Sequence, residues 1–187
     1  MGILDKLVKS VAVAREQFVE AASGLTYEQS QFKSSPDVWS VVDNVEHMFW
    51  AEMGGINGMW KTLQGIKQNT PIWHGDAIHH GLPIETIIAK TWQEKEQVPE
   101  IAKPRWGGPV EYWIIALKNC QPLLEELCKA MDGYDPEKII YPHIISGPLN
   151  VVQRLEFLRF HLNRHQHQVE NIKLHPDFPP TATVTYN

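Results

Sequence analysis

The chain has only two cysteines in 187 residues. Cys120 and Cys128 lie eight apart in a stretch of helical period, a rise of about 12 Å, too long for a mutual disulfide. They are expected to be free thiols packed as small apolar side chains in a reducing compartment, and the cytoplasm is the expected location. No run approaches the 18–20 apolar residues of a membrane span, so no membrane partner is expected. The N-terminal MGILDKLVKSVAVAREQ has no unbroken apolar core, and no signal peptide is expected from it. Basic charge is also scarce: 17 Lys and Arg stand against 22 Asp and Glu, net −5. Without a basic patch, nucleic acid is not an expected partner. There is no G-x-S-x-G, no phosphate-binding glycine loop and no H-E-x-x-H. Paired strand patterns with hairpin turns are missing as well, and no internal repeat is visible.

What is present is helical. Hydrophobic residues make up 43% of the chain, enough for one domain with a substantial core. From Ile3 to Ser23, apolar residues recur at helical spacing and stop at Gly24. Leu25 to Asp37 reads as a connector. Ser40 and Asp43 resemble a capping box opening a second helix near Trp39, which runs to about Gly65 or ends early at Gly54, Gly55 and Gly58. Ile66 to Leu82 is loop-like and carries His74, His79 and His80. Pro83 starts a short helix with Ile84, Ile87, Ile88 and Trp92 on one side. After a break from Pro99 to Pro109, the stripe Trp113, Ile114, Leu117, Cys120, Leu124, Leu127, Met131 predicts one helix ending at Gly133. Pro148 then opens the last helix, which reaches Lys173. These segments predict an all-α four-helix bundle with a short extra helix inserted between the second and third main helices. The domain spans 1–175, and 176–187 is an extended or disordered tail.

Nine histidines in 187 residues give roughly 0.4 pairs at spacing four by chance, so His161 and His165 alone do not define a site. They do share one face of the last helix, on or beside the stripe Leu158, Leu162, Val169, Ile172. Bundle metal sites are built from inward side chains of facing helices. His47, the one histidine of the second helix, lies beside that helix's apolar face. Together the three make a neutral tris-imidazole set suited to Zn²⁺, Ni²⁺ or another late divalent ion, with room for water or substrate. His167 is about 200° around the helix from His165 and should face away. His143 reads as a loop histidine that could reach toward the site, and His175 as one that favours the helix C-terminal dipole. Glu46 points about 100° away from His47 and reads as a solvated charge. Trp39, Trp50, Trp60, Trp113 and Phe160 are candidates for pocket lining or for plain core.

The stretch VWSVVDNVEHMFWAE, with Trp39-Ser40 shortly before His47, resembles a W-S…H segment of the DinB/YfiT-like superfamily. PHIISGPLNVVQRLEFLRFHLNRHQHQVENIK resembles that family's closing helix, with its aromatic-H-x-x-x-H run after a G-P-L entry. The family includes metal-dependent hydrolases and bacillithiol- and mycothiol-dependent S-transferases. The resemblance implies a four-helix bundle in which His47, His161 and His165 bind a divalent metal. It further implies a small-molecule substrate, a low-molecular-weight thiol cosubstrate and a homodimer. Arg164 stands where some relatives carry a further histidine. The long segment from Ile66 to Gly108 is expected to cover the pocket mouth, where substrate choice resides. Three functions follow as expectations: a thiol S-transferase, a hydrolase using metal-activated water, or a bundle that binds a metal or small molecule without catalysis.

Overall fold

Helix α1 (Ile3–Ala22) buries Val8, Val11, Phe18 and Ala22, positions spaced three, four and seven apart that form one stripe. The structure, a computed structural model, describes residues 2–93 and 97–181. The expected connector after α1 contains a short helix, α2 (Tyr27–Gln31). Thr26 and Gln29 form a reciprocal capping box there: Gln29 N–H donates to Thr26 Oγ1 at 3.2 Å and Thr26 N–H to Gln29 Oε1 at 3.0 Å.

Helix α3 (Val41–Lys67) starts where the Ser40/Asp43 box places it and continues without a break through its three glycines. Two of those glycines have a packing reason. A methyl group at Gly58 would lie 2.0 Å from Tyr141 Cζ, and one at Gly55 would lie 3.0 Å from Arg154 Nη2. Gly54 faces open space. Gly54→Ala is therefore expected to stabilise the fold by about 0.5–1 kcal/mol through helix propensity. Gly58→Ala is expected to cost about 1–3 kcal/mol by forcing the Tyr141 ring aside. Urea denaturation of both variants checks the opposite signs.

Helix α4 (Ile84–Thr91) follows Pro83 as expected, and its Ile84, Ile87 and Ile88 join Leu149 and Phe157 in a small apolar cluster apart from the main core. The Pro99–Pro109 break contains one 3₁₀ turn at Glu100–Ala102. The single helix expected up to Gly133 is two, α5 (Val110–Lys118) and α6 (Cys120–Ala130), interrupted at Asn119. Pro122 explains the break: it has no N–H for the Lys118 carbonyl, and its ring crowds that carbonyl. The apolar stripe survives, with Trp113, Leu117, Cys120, Leu124 and Leu127 all buried.

Two further expectations fail together between Ala130 and the last helix. Strands β1 (Ile140–His143) and β2 (Gly147–Asn150) pair antiparallel, with Pro142 opposite Pro148 and Gly147 at φ 73. A ladder of four-residue strands carrying two prolines gives no alternating pattern to read. Pro148 accordingly lies in a strand and does not open the last helix. That helix, α7 (Val151–Lys173), begins three residues later at an Asn150/Gln153 capping box.

Helix α1 runs along α7, and α3 packs on α5, α6 and α7, which makes α1, α3, α5–α6 and α7 the four-helix bundle. Helix α4 and the hairpin sit against α7. This is the all-α architecture with one short inserted helix that the periodicity predicts. Inside the bundle, Arg15 of α1 makes an ion pair with Glu52 of α3 (Nη2–Oε2 2.5 Å) and also donates to Gln121 of α6. Arg15 and Glu52 are 3% and 0% exposed. Phe178 stacks edge-on against Phe32, and the Pro179 carbonyl accepts from Gln29 Nε2 at 2.9 Å. The start of the expected tail is thus laid on the bundle, while its residues 182–187 lie outside the described residues. Among the described residues no helix is long and apolar enough to cross a membrane.

Candidate metal centre

The apolar stripes of α3 and α7 face each other, so a polar residue interrupting either stripe is carried inward. His47, His161 and His165 interrupt them at one level. All three are buried, at 3, 6 and 4% exposure. His161 Nε2 lies 3.2 Å from His47 Nε2 and 3.0 Å from His165 Nε2. Among the described residues they are the one group of three whose ligand atoms could hold a metal ion. Nitrogens about 2.0–2.1 Å from a shared ion stand about 3.0–3.4 Å apart, depending on coordination number, so the spacing fits.

The surroundings set the tautomers. Ala102 C=O can only accept, so the proton of His47 is on Nδ1, which donates to it at 2.7 Å. His165 Nδ1 likewise donates to Asn44 Oδ1 at 2.8 Å. Asn44 is oriented for this because its Nδ2 donates to the Ser40 carbonyl at 2.8 Å. Both rings therefore turn an Nε2 lone pair toward His161. Burial pushes the His47 pKa down to about 4, against an opposing pull from the Ala102 carbonyl. His161 and His165 are held well below the usual histidine range, first by burial and then by neighbouring positive charge: that of His165, His47, His143 and Arg164 on His161, and that of His47 and Arg164 on His165. Two lone pairs thus converge on His161, whose own Nδ1 is buried without a partner, and they call for an electron-poor group between them, either the His161 Nε2–H or a cation. A divalent cation answers that need, and such outer hydrogen bonds are what fix metal-bound histidines. Trp39 stacks on His165 with centroids 6.0 Å apart and interplanar angle 19°.

The centre lies in the wall of a cavity of about 1390 Å³. The segment 66–108 contributes Ile72, Trp92, Ile101 and Ala102 to its lining, consistent with the expected cover. Trp39 and Trp50 line it too, whereas Trp113 is core, Trp60 is 36% exposed and Phe160 packs against the α4 cluster. His167 is exposed, as its helical position requires. His74 and His80 are exposed on their loop, and His79 is buried with Nε2 donating to the Ser146 carbonyl at 2.8 Å.

Glu46 corrects the sequence reading. It is fully buried, not solvated. Its carboxylate accepts the backbone N–H groups of Arg105, Trp106 and Gly107 at 2.7–2.9 Å, and Trp50 Nε1–H at 3.1 Å. That grip holds the segment bearing Ala102 against α3. The contact spans 59 residues or more and ends on backbone, so no residue pattern announces it.

His143 reaches the cavity wall from the hairpin. Its Nδ1 accepts the N–H groups of Ile145 and Ser146 at 3.2 and 3.1 Å, which leaves the ring proton on Nε2. Burial, then the Arg154 charge, push its pKa down to about 3. A base whose folded pKa is depressed contributes stability above its unfolded value, near 6.5, and loses it as pH falls toward the folded value. Metal-free protein should therefore weaken by about 1.4 kcal/mol per pH unit from this group between roughly pH 6 and 4. His143→Gln should flatten that slope in chemical denaturation at stepped pH.

In a four-helix bundle, three buried imidazoles from two facing helices meet at one point as a set that could hold a metal ion. The family model described as "DinB superfamily" matches residues 11–169. The chain belongs to the DinB superfamily. No curated protein and no solved structure matches it significantly.

Proposed function

We propose that this DinB-superfamily chain is an enzyme in which His47, His161 and His165 hold one divalent ion, Zn²⁺ or Ni²⁺ by the donor set, and in which a low-molecular-weight thiol is activated for attack on an electrophile. The observation that carries the reading is the convergence of the three Nε2 atoms at the wall of a large cavity. When bound, such an ion would lower a thiol's pKa so that its proton is released to solvent and the thiolate is present near neutral pH. The protein's part is orientation: Ala102 and Asn44 fix two rings, and Trp39 and Phe157 pack beside them. The thiolate sulfur forms a bond to the electrophile while the leaving group departs with its electron pair.

Thiol chemistry is favoured over hydrolysis by what the wall lacks. Metal-assisted attack by water usually wants a nearby base. Among the described residues, Asp37, exposed, is the only carboxylate lining the cavity. The His143 lone pair is taken up by two backbone N–H groups. The test is Co²⁺-loaded protein titrated with cysteine, followed by monobromobimane as electrophile. The expected result is a sulfur-to-cobalt charge-transfer band, and bimane transfer faster than in metal-free protein or His161→Ala. Absence of the band, with metal-dependent ester hydrolysis that ignores thiol, would overturn the reading in favour of a hydrolase. Neither activity, with metal raising only the melting temperature, would leave a structural site.

A further inference from the structure

Arg154 is a buried cation that the fold does not neutralise. It lies on α7 seven residues before His161 and four before Leu158, so it shares their face about 10 Å toward the helix N-terminus. It is 6% exposed, and its Nη1 has no hydrogen-bond partner. Among the described residues it makes no ion pair, whereas the other buried arginine, Arg15, has Glu52. Its guanidinium stacks over the Tyr141 ring at 4.6 Å, and Nη2 fills the space left by the missing side chain of Gly55. Gly58 leaves the corresponding space for Tyr141 itself. Stacking holds the planar fork in place but supplies no acceptor. Burial moves its pKa only down to about 10, which leaves it charged at neutral pH. An uncompensated buried charge is costly and persists where something outside the fold completes it.

The surroundings say what that something is. Arg154 lines the cavity together with Tyr141 and His143, so this end offers a guanidinium, a phenol and an imidazole Nε2–H. Lys61 and Arg164 line the same cavity, as does Lys103, which is paired with Glu100, against one lining carboxylate among the described residues, in a chain whose net charge is −5. Positive charge gathered in a cleft of an acidic protein concentrates anions there. A guanidinium fork matches the paired oxygens of a carboxylate or phosphate.

We propose that the Arg154 end of the cavity is an oxyanion subsite, taking a carboxylate or phosphate group of a small molecule whose other end reaches the three histidines. The subsite stands on Arg154 alone. Only the reach to the histidines rests on the proposed function. The ligand so defined is a bifunctional anion, with an acidic group at one end and a metal-seeking group at the other.

The test is made on full-length protein after dialysis against EDTA, so that no metal can hold the anion. Wild type, Arg154→Met and Arg154→Lys are titrated with orthophosphate and, separately, succinate at matched ionic strength, reading tryptophan fluorescence and melting temperature. At least one anion is expected to bind wild type saturably and raise its melting temperature. Arg154→Lys should bind roughly tenfold more weakly because it lacks the fork. Arg154→Met should not respond, and its ligand-free melting temperature should equal or exceed that of wild type because the unpaired charge is gone. Which anion binds decides between carboxylate and phosphate. Failure of both anions to bind, or equal shifts in wild type and variants, would overturn the subsite. If Arg154→Met does not fold, equal affinity in Arg154→Lys overturns it. Wild type that binds the anion but takes up no added Zn²⁺ or Ni²⁺ would sink the enzyme reading and leave the subsite standing.

Discussion

His161→Ala is expected to reduce bound divalent metal from about one ion per chain to none that survives gel filtration. The shared geometry is the reason. His161 Nε2 is the atom close to both other rings, at 3.0 and 3.2 Å, and removing it leaves two ligands with an open face. His47→Ala and His165→Ala should lose metal in the same way, while His167→Ala, exposed on the far side of α7, should retain it. Asn44→Ala is a graded control: it frees the His165 ring without removing a ligand, and such outer changes typically weaken metal affinity about 10–100-fold. Elemental analysis of wild type and the five variants, purified without chelators or a histidine tag, reads the series. Full occupancy in the three ligand variants would make the trio ordinary core histidines.

Arg15→Met is expected to destabilise the bundle by about 3–5 kcal/mol, because it strands Glu52 in the core without its counter-charge. Glu52 is fully buried, its Oε1 is already without a partner, and burial pushes its carboxyl pKa up despite Arg15. The double variant Arg15→Met/Glu52→Leu should recover most of that loss, since an apolar pair of similar volume often matches or exceeds a buried ion pair. Urea denaturation of wild type, the two singles and the double gives the coupling directly. A single-variant cost under about 1 kcal/mol would show that water reaches the pair. The same neighbourhood bears on Cys120: burial, then the Glu52 charge, push its thiol up to about 12, so alkylating reagents should spare it in the folded protein.

Period and spacing made the bundle legible, because helix-forming stripes and caps act locally. Ser40/Asp43 announced the start of α3, and the i, i+4 step announced that His161 and His165 share a face. The grouping of His47, His161 and His165 was legible because they are side chains of a rare type on predicted faces. What escaped depends on contacts distant in sequence or on backbone atoms. The Ala102 carbonyl that orients His47 has no residue-level signature. Pro122 was there to be read, and the rule that a proline frees the carbonyl four residues earlier divides α5 from α6. Arg154 also carried a signal: a cation at spacing four and seven from Leu158 and His161 lies on the inward face, where a charge needs an explanation. Glycines inside α3 pointed to close neighbours without naming them, and Tyr141 and Arg154 are the ones.

The Glu46 carboxylate has a consequence for how the protein can vary. Glu46 and His47 are consecutive residues on one turn of α3, one gripping the 105–107 backbone and the other donating to the Ala102 carbonyl. The rim of the cavity is thereby indexed to the same helical turn that carries His47. Insertions, deletions and substitutions between about Ile66 and Val98 can reshape the entrance while that fixed reference holds. The link between that entrance and the histidines then passes through Trp92, whose ring lies 6.2 Å from that of His161.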